Sequence, residues 1–430
     1  MKRLFRTQQL TPLILTTIVL GLLLGLHPAT VLAKDKTPRV ADQLLIQLNP
    51  LFAATVDDIN ATYGTTTLRQ LTAVNDLYLL QTPPGADPKE LAETMALDLR
   101  LLFAEPNYLS ETPEAIGSSA WVWGGQDKAP YGDQVAADLL NLAPAHALST
   151  GIGTIVAIVD TGVDLDHPAL ADAITAGYDF VDGDNDPDDE LNGDPSRGKV
   201  GGHGTHVAGI VHLVAPDARI MPLRVLGTNG QGDAFRVAEA VLFAVNNGAN
   251  VINLSLGMAS HSDTLKTAVR YATERGVVVV GAAGNLGNKE KQHPAATQCV
   301  LGVTAVNATR QKANFANYGS WVAYAAPGEA IYSTFPGGSY AWWSGTSMAA
   351  PFVAGQAALL RQLDQSINAR DIALLIAHTS ENLDTLNPDF AGNLGAGLPN
   401  ITASLERLLS GDIPTSNRGI MSDQCVRQSS

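Results

Sequence analysis

The sequence predicts an α/β protein: a mostly parallel sheet with helices on both faces, preceded by a small α+β unit. Three observations carry this expectation. After residue 138 the runs TIVAIVD, ARIMPLRVL, ANVINLSLG, GVVVVGAAGN and CVLGVTAV are apolar almost throughout and of strand length. Strands read this way when helices bury both faces of a parallel sheet. The helical stretches DAFRVAEAVLFAVNNG and DTLKTAVRYATERG fall between those runs, giving the strand–helix alternation of a doubly covered sheet. Before residue 109 the pattern is different, with shorter strands and helices in mixed order.

The first 33 residues form a separate element. Lys2, Arg3 and Arg6 precede an apolar run from Leu10 to Leu26, and Val31 and Ala33 satisfy the small-residue rule for cleavage. That is the pattern of a secretory signal and implies a secreted or extracytoplasmic protein. The run is also long enough to serve as an uncleaved membrane anchor, the one route to a membrane that the sequence offers.

From Arg39 to Tyr108, LLIQL reads as a strand, TVDDINATY as a helix, LYLLQT as a strand, DPKELAETMALDLRLL as an amphipathic helix and FAEPNYL as a strand. The order fits a split β-α-β, ferredoxin-like layer. SETPEAIGSSAWVWGGQDKAPYGDQ is rich in Gly, Ser, Pro and polar residues and reads as an exposed linker. The expected organisation is therefore a signal at 1–33, a small domain at 34–115, a linker at 116–137, the α/β domain at 138–410 and a polar tail at 411–430.

Composition narrows the function classes. A chain of 430 residues that is 45% hydrophobic and 16% charged can bury a large core. Its formal net charge of −15 makes nucleic acid a poor partner. The two cysteines, Cys299 and Cys425, cannot form a disulfide framework. Cys299 lies in an apolar run, so a free buried thiol is the expectation, with a single bridge as the alternative.

Three residues bear chemistry. Asp160 ends the run TIVAIVD, at the carboxyl edge where open parallel sheets bind ligands. His203 lies in GGHGTHVAGIVH, where glycines permit close approach. His203 and His206 are three apart with Gly204 and Thr205 between them, unlike zinc hydrolases that space histidines four apart around a glutamate; a general base is the better reading. Ser347, in WSGTSMAAPFVAG, begins a small-residue helix whose free N–H groups favour developing negative charge. Alone, each has a plain structural explanation: a turn aspartate, a loop histidine, an N-cap serine. Pro351 counts against the last, because it cannot donate to the Ser347 carbonyl. Together they supply a nucleophile, a base and a carboxylate to orient the base.

DTGVD, HGTHVAG and GTSMAAP resemble the three signature segments of the subtilisin-like serine peptidases, in the order Asp, His, Ser. AAGN at 282–285 resembles that family's oxyanion segment, and the likeness runs from about residue 138 to 409. The resemblance implies Ser347 as nucleophile, His203 as base, Asp160 as orienting carboxylate and Asn285 as oxyanion donor. It implies that Ser255, Leu256 and Gly257, with Ala282, Ala283 and Gly284, line a cleft that pairs with extended peptide. Nothing charged stands out there, so a broad or apolar preference is expected. Residues 35 to 115 resemble the family's inhibitory propeptides, implying a zymogen cleaved in or near ETPEAIGSSAW, and a monomer.

The implied chemistry needs no cofactor. The family's calcium loop after HVAG is cut to HL here, but Asp182, Asp184, Asp186 and Asp188 in DFVDGDNDPDDE concentrate hard oxygen ligands, making a structural calcium ion a candidate beside a merely solvated loop. Protein or peptide substrates are the expected partners. A catalytically silent exported binding protein is the alternative from another class. The acid-acting sedolisin branch, which uses a glutamate base, fits less well with His203 in HGTH.

Overall fold

The computed structural model describes residues 37–416, except 75, 117–120 and 192–199. The expected signal, Cys425 and most of the expected tail lie outside the described residues, as do residues 117–120 of the expected linker. From Pro38 onward the chain is one compact unit, so the small N-terminal layer and the α/β domain pack as one body.

The N-terminal layer contains β1 (Arg39–Leu48), α1 (Val56–Tyr63), β2 (Thr66–Gln70), β3 (Leu77–Gln81), α2 (Pro88–Met95) and β4 (Leu101–Glu111). Thr55 and Asp58 close a capping box at the start of α1, and Asp87 caps α2 with Pro88 in its first turn. Helix α2 ends earlier than its apolar pattern suggests. Asp98 accepts the Arg100 backbone N–H at 2.9 Å and its guanidinium, a local turn that competes with further helix. Strand β2 was not expected, because all five of its residues are exposed and no alternation marks it. Leu44, Ile46 and Leu80 pack against Ile59, Ala92 and Met95 on one face of the layer. Leu45, Leu77 and Leu79 turn the other face toward the α/β domain.

The main sheet contains β6 (Ile155–Asp160), β7 (Tyr178–Asp179), β8 (Arg219–Arg224), β10 (Val251–Leu254), β11 (Val278–Ala282), β12 (Val300–Val306) and β13 (Tyr324–Pro327). Its order is β13-β12-β11-β10-β6-β8-β7, parallel throughout. Helices α4 (His203–Val214) and α7 (Thr346–Leu363) fill one face. Helices α5 (Ala234–Asn246) and α6 (Asp263–Glu274) fill the other, together with the N-terminal layer. All expected parallel strands are present, and they aim Asp160 at the carboxyl edge.

The expected linker is not simply exposed. Thr112, Pro113 and Glu114 are buried, in and beside a one-turn helix α3 (Pro113–Ile116). Strand β5 (Trp121–Gly125) adds to the hairpin of β14 (Ile331–Phe335) and β15 (Ser339–Trp343). Cys299 is also not a free core thiol: it is disulfide-bonded. It stands one residue before β12, half-buried and with φ 74°, at the open end of a strand whose other residues are buried.

Candidate active site

Two turns and one helix end bring distant residues together. Asp160 ends β6, His203 begins α4 and Ser347 lies in the first turn of α7; all three are fully buried. His203 Nδ1 is 2.7 Å from Asp160 Oδ1, and the Thr161 N–H donates to the same carboxylate oxygen at 2.8 Å. A Cβ on Gly204 would collide with the Gly162 carbonyl, so the glycine there lets the two turns meet.

Asp189 holds these turns in place and was not singled out from the sequence. Its carboxylate accepts from the Thr205 amide at 3.0 Å, the Thr205 hydroxyl at 2.7 Å, the Gly202 amide at 3.2 Å and the Thr161 hydroxyl at 3.1 Å. Burial, reinforced by the nearby Asp160 charge, pushes its carboxyl up to about 7 against those bonds. His206, which shares α4, packs edge-on against Trp343 and bonds the Ala341 carbonyl through Nε2 at 3.1 Å. Burial drives its pKa down to about 3, leaving a neutral packing residue.

Helix α7 carries a proline at position 351, which leaves the Ser347 carbonyl without a helical donor. The Ser255 hydroxyl fills that role, donating to Ser347 O at 2.9 Å. Asn285 is fixed from α7 as well: its Oδ1 accepts the Thr346 N–H at 3.0 Å and the Thr346 hydroxyl at 2.9 Å. The Asn285 amide N–H₂ is thereby aimed at the space in front of Ser347.

That space holds a carboxylate. Glu114 Oε1 accepts from Asn285 Nδ2 at 2.9 Å; its Oε2 accepts from Ser347 Oγ at 2.7 Å and lies 3.1 Å from His203 Nε2. Burial alone would lower the His203 pKa, but the charge and hydrogen bond of Asp160, then those of Glu114, push it up to about 10. For Glu114, burial would raise the pKa; the His203 bond and charge, with the Ser347 and Asn285 bonds, outweigh it and hold the group below its ordinary value. The arrangement is an imidazolium between two carboxylates. A Cβ on Gly345 would collide with Glu114 Oε1, so the glycine before Thr346 makes room for this oxygen.

The chain reaches that point as an extended strand. Leu109, Ser110 and Glu111 of β4 pair antiparallel with β9 (Gln231–Asp233). Glu111 N donates to Gly257 O at 2.9 Å, Gly257 N to Glu111 O at 2.8 Å, and Thr112 N to Gly230 O at 3.1 Å. Gly257 thus pairs with Glu111 through both of its backbone groups, with Ser255 and Leu256 buried behind it. The segment 282–284 does not pair in this way: the Ala283 N–H bonds Val303 O and the Gly284 N–H bonds the Thr346 hydroxyl, while Ala282 belongs to β11. The wall supplied by Gly230 to Asp233 was missed; its only sequence signal is the glycine spacing in GTNGQGD.

Asp182, Asp184, Asp186 and Asp188 do not form a common ligand shell. A guanidinium supplies the local positive charge: Arg224 Nη1 is 2.6 Å from Asp179 and 2.8 Å from Asp182, and Nη2 is 2.9 Å from Glu190. Asp184 accepts the Asp186 amide and Asp188 the Leu165 amide. Among the described residues no group of three or more His, Cys, Asp or Glu side chains is arranged to hold a metal ion.

Comparison with known proteins matches residues 151–397 to the Subtilase family. The chain belongs to the subtilase family. It is 41% identical over 295 residues to Thermophilic serine proteinase of Bacillus sp. (strain AK1), covering 65% of this chain and 68% of that one. It is 42% identical over 249 residues to Thermitase of Thermoactinomyces vulgaris, covering 56% of this chain and 85% of the relative. Among solved structures, fervidolysin from Fervidobacterium pennivorans, described as a keratinolytic enzyme related to subtilisin, superposes with a TM-score of 0.74 at 27% identity. That match covers 89% of this subtilase and 63% of fervidolysin. Family membership makes this subtilase a serine endopeptidase of the subtilisin-like kind.

Proposed function

We propose that the protein is a secreted zymogen in which residues 39–114 inhibit a peptidase whose nucleophile is Ser347. The observation that carries this reading is the meeting of Ser347, His203, Asp160 and Asn285 at the end of a cleft already filled by an extended strand of the same chain. Once the cleft is vacated, a substrate strand pairs with Gly257 and with β9, binding through backbone groups common to every sequence. Ser347 Oγ attacks the scissile carbonyl carbon while its proton passes to His203 Nε2, and Asp160 stabilises the imidazolium through Nδ1–H. Asn285 Nδ2 and the Ser347 N–H donate to the oxyanion. Collapse expels the amine, which takes the proton from His203. Water then repeats the sequence on the acyl-enzyme and regenerates the Ser347 hydroxyl.

The state with Glu114 in place is inactive for a chemical reason. A base must be neutral to accept the serine proton, and two flanking carboxylates keep His203 protonated up to about pH 10. The Ser347 proton is also directed at Glu114 rather than at the imidazole. Secretion rests on the charged and apolar N-terminal sequence.

Incubating the purified chain with an unfolded protein, with and without a serine-directed phosphonate, tests the reading. Hydrolysis that stops as Ser347 becomes labelled, located by mass spectrometry, is the expected result. Hydrolysis with the label elsewhere overturns the assignment, and full maturation of Ser347→Ala in the absence of other peptidases overturns self-processing.

A further inference from the structure

We propose that the Glu114 side chain is a carboxylate inhibitor carried by the chain itself, seated where a scissile carbonyl would react, and that it has to withdraw before the first maturation cut. This inference rests on the zymogen reading and adds to it the group responsible for latency and the order of events.

The main chain and the side chain divide the work. As far as Thr112 the segment follows the extended path of a substrate, through its bonds to Gly257 and Gly230. Pro113 then has no N–H to continue that pairing and starts the turn of α3. The backbone turns aside just where an extended peptide would present its next carbonyl to Ser347, and the Glu114 carboxylate fills the place. Its side chain is fully buried, and its oxygens are bonded by the residues assigned to attack, proton transfer and oxyanion binding.

A carboxylate is well suited to this position. Its carbon is a poor electrophile, because the negative charge is delocalised over both oxygens and neither is a leaving group at neutral pH. Its two oxygens accept charge-assisted hydrogen bonds, which are stronger than those a neutral peptide carbonyl would accept. It also draws the Ser347 proton away from His203. The titratable groups facing the imidazole are Asp160 from β6 and Glu114 from α3, with His206 on the same helix and Asp189 behind Asp160. Only Glu114 is delivered by the segment to be removed.

The test compares the full chain with Glu114→Gln, Glu114→Asp and Glu114→Ala, following conversion of the refolded precursor to the shortened form. Glu114→Gln and Glu114→Ala should process at least about tenfold faster than wild type, because the charge-assisted bonds are lost, with Glu114→Asp between. Equal or slower processing of both neutral variants overturns the proposal. A second measurement is independent of processing: in the Ser347→Ala full chain, the His203 imidazole titrates by NMR, and adding Glu114→Gln should lower its midpoint. An unchanged midpoint overturns the proposal even if no variant processes. A shortened enzyme that the phosphonate labels at Ser347, with processing insensitive to Glu114, sinks the latch and leaves the peptidase reading intact.

Discussion

His203 Nδ1 and Asp160 Oδ1 lie 2.7 Å apart, both fully buried. The bond fixes the imidazole ring so that Nε2 faces Glu114 Oε2, the atom that also accepts from the Ser347 hydroxyl, and on the proposed mechanism it stabilises the cation formed when the serine proton arrives. Asp160→Asn keeps the shape but can turn an N–H toward Nδ1, favouring the wrong tautomer. The mature variant should lose on the order of 10⁴-fold in kcat with KM nearly unchanged. Steady-state kinetics on a peptide anilide checks this, and a loss confined to KM would place Asp160 in binding instead.

Asn285 owes its orientation to two bonds from Thr346 to its Oδ1, so its amide donor is held in place before any charge develops. Asn285→Ala should therefore lower kcat by about 10²–10³ with little change in KM. Thr346→Val removes one of the two positioning bonds and leaves the donor itself present, so a smaller loss in the same parameter is expected. Equal losses from the two variants would mean that the site collapses rather than loses a donor.

The charge pattern around Glu114 predicts a pH window for docking of the N-terminal segment. Glu114 is held below its ordinary 4.5, so its contribution is complete above that value and is lost as the pH falls through the depressed pKa. His203 is raised to about 10 with both carboxylates beside it; Asp160 stays when the segment leaves, so docking gains only the Glu114 share of that rise, and this contribution is lost as the pH rises toward about 10. Docking should therefore be weakened on the acid side, as the pH falls below 4.5, and on the alkaline side, as it approaches about 10. In the Ser347→Ala chain, protection factors of the Glu111 and Thr112 amides should fall from pH 6.5 toward about 9. Constant or rising protection over that range contradicts the ion-pair account.

The main sheet and the convergence of Asp160, His203 and Ser347 were legible in the sequence for different reasons. Runs such as VAIVD and VVVGA are buried on every residue, so hydrophobicity alone marks them. Asp160, His203 and Ser347 sit in short motifs whose glycines make room for close neighbours, the Gly162 carbonyl at Gly204 and the Glu114 carboxylate at Gly345. What escaped notice depends on partners far away in the chain. ETPEAIG has the composition of a linker, and the partners that hold Glu111, Thr112 and Glu114 within it are Gly230, Gly257, Asn285 and Ser347, none of which is near them in sequence. The acidic run at 182–188 gives no sign in the sequence that Arg224, supplied by a distant strand, meets Asp182. Strand β2 shows no alternation because neither of its faces is buried.

The N-terminal layer also grips the α/β domain through helix ends. Glu105 accepts the Ser262 hydroxyl at 2.8 Å, the Asp263 N–H at 2.9 Å and the Thr264 N–H at 3.0 Å, placing a carboxylate on the N-terminus of α6. At α5 a neutral acceptor takes that place: the Asn107 amide oxygen accepts the Phe235 N–H at 3.2 Å. A carboxylate at a helix N-terminus satisfies orphan donors and opposes the positive end of the dipole. Glu105→Ala should weaken docking by about 1–2 kcal/mol. The cleaved segment would then dissociate sooner, and the lag between self-cleavage and full activity would shorten by roughly tenfold. On the proposed zymogen reading Glu105 leaves with the segment, so turnover of the mature enzyme should be unchanged once the lag is over. A shorter lag with altered final turnover would mean that the substitution left the α/β domain misfolded. An unaltered lag would place the grip elsewhere, at Asn107 or at the Arg69–Glu239 pair, whose charged atoms are 2.6 Å apart.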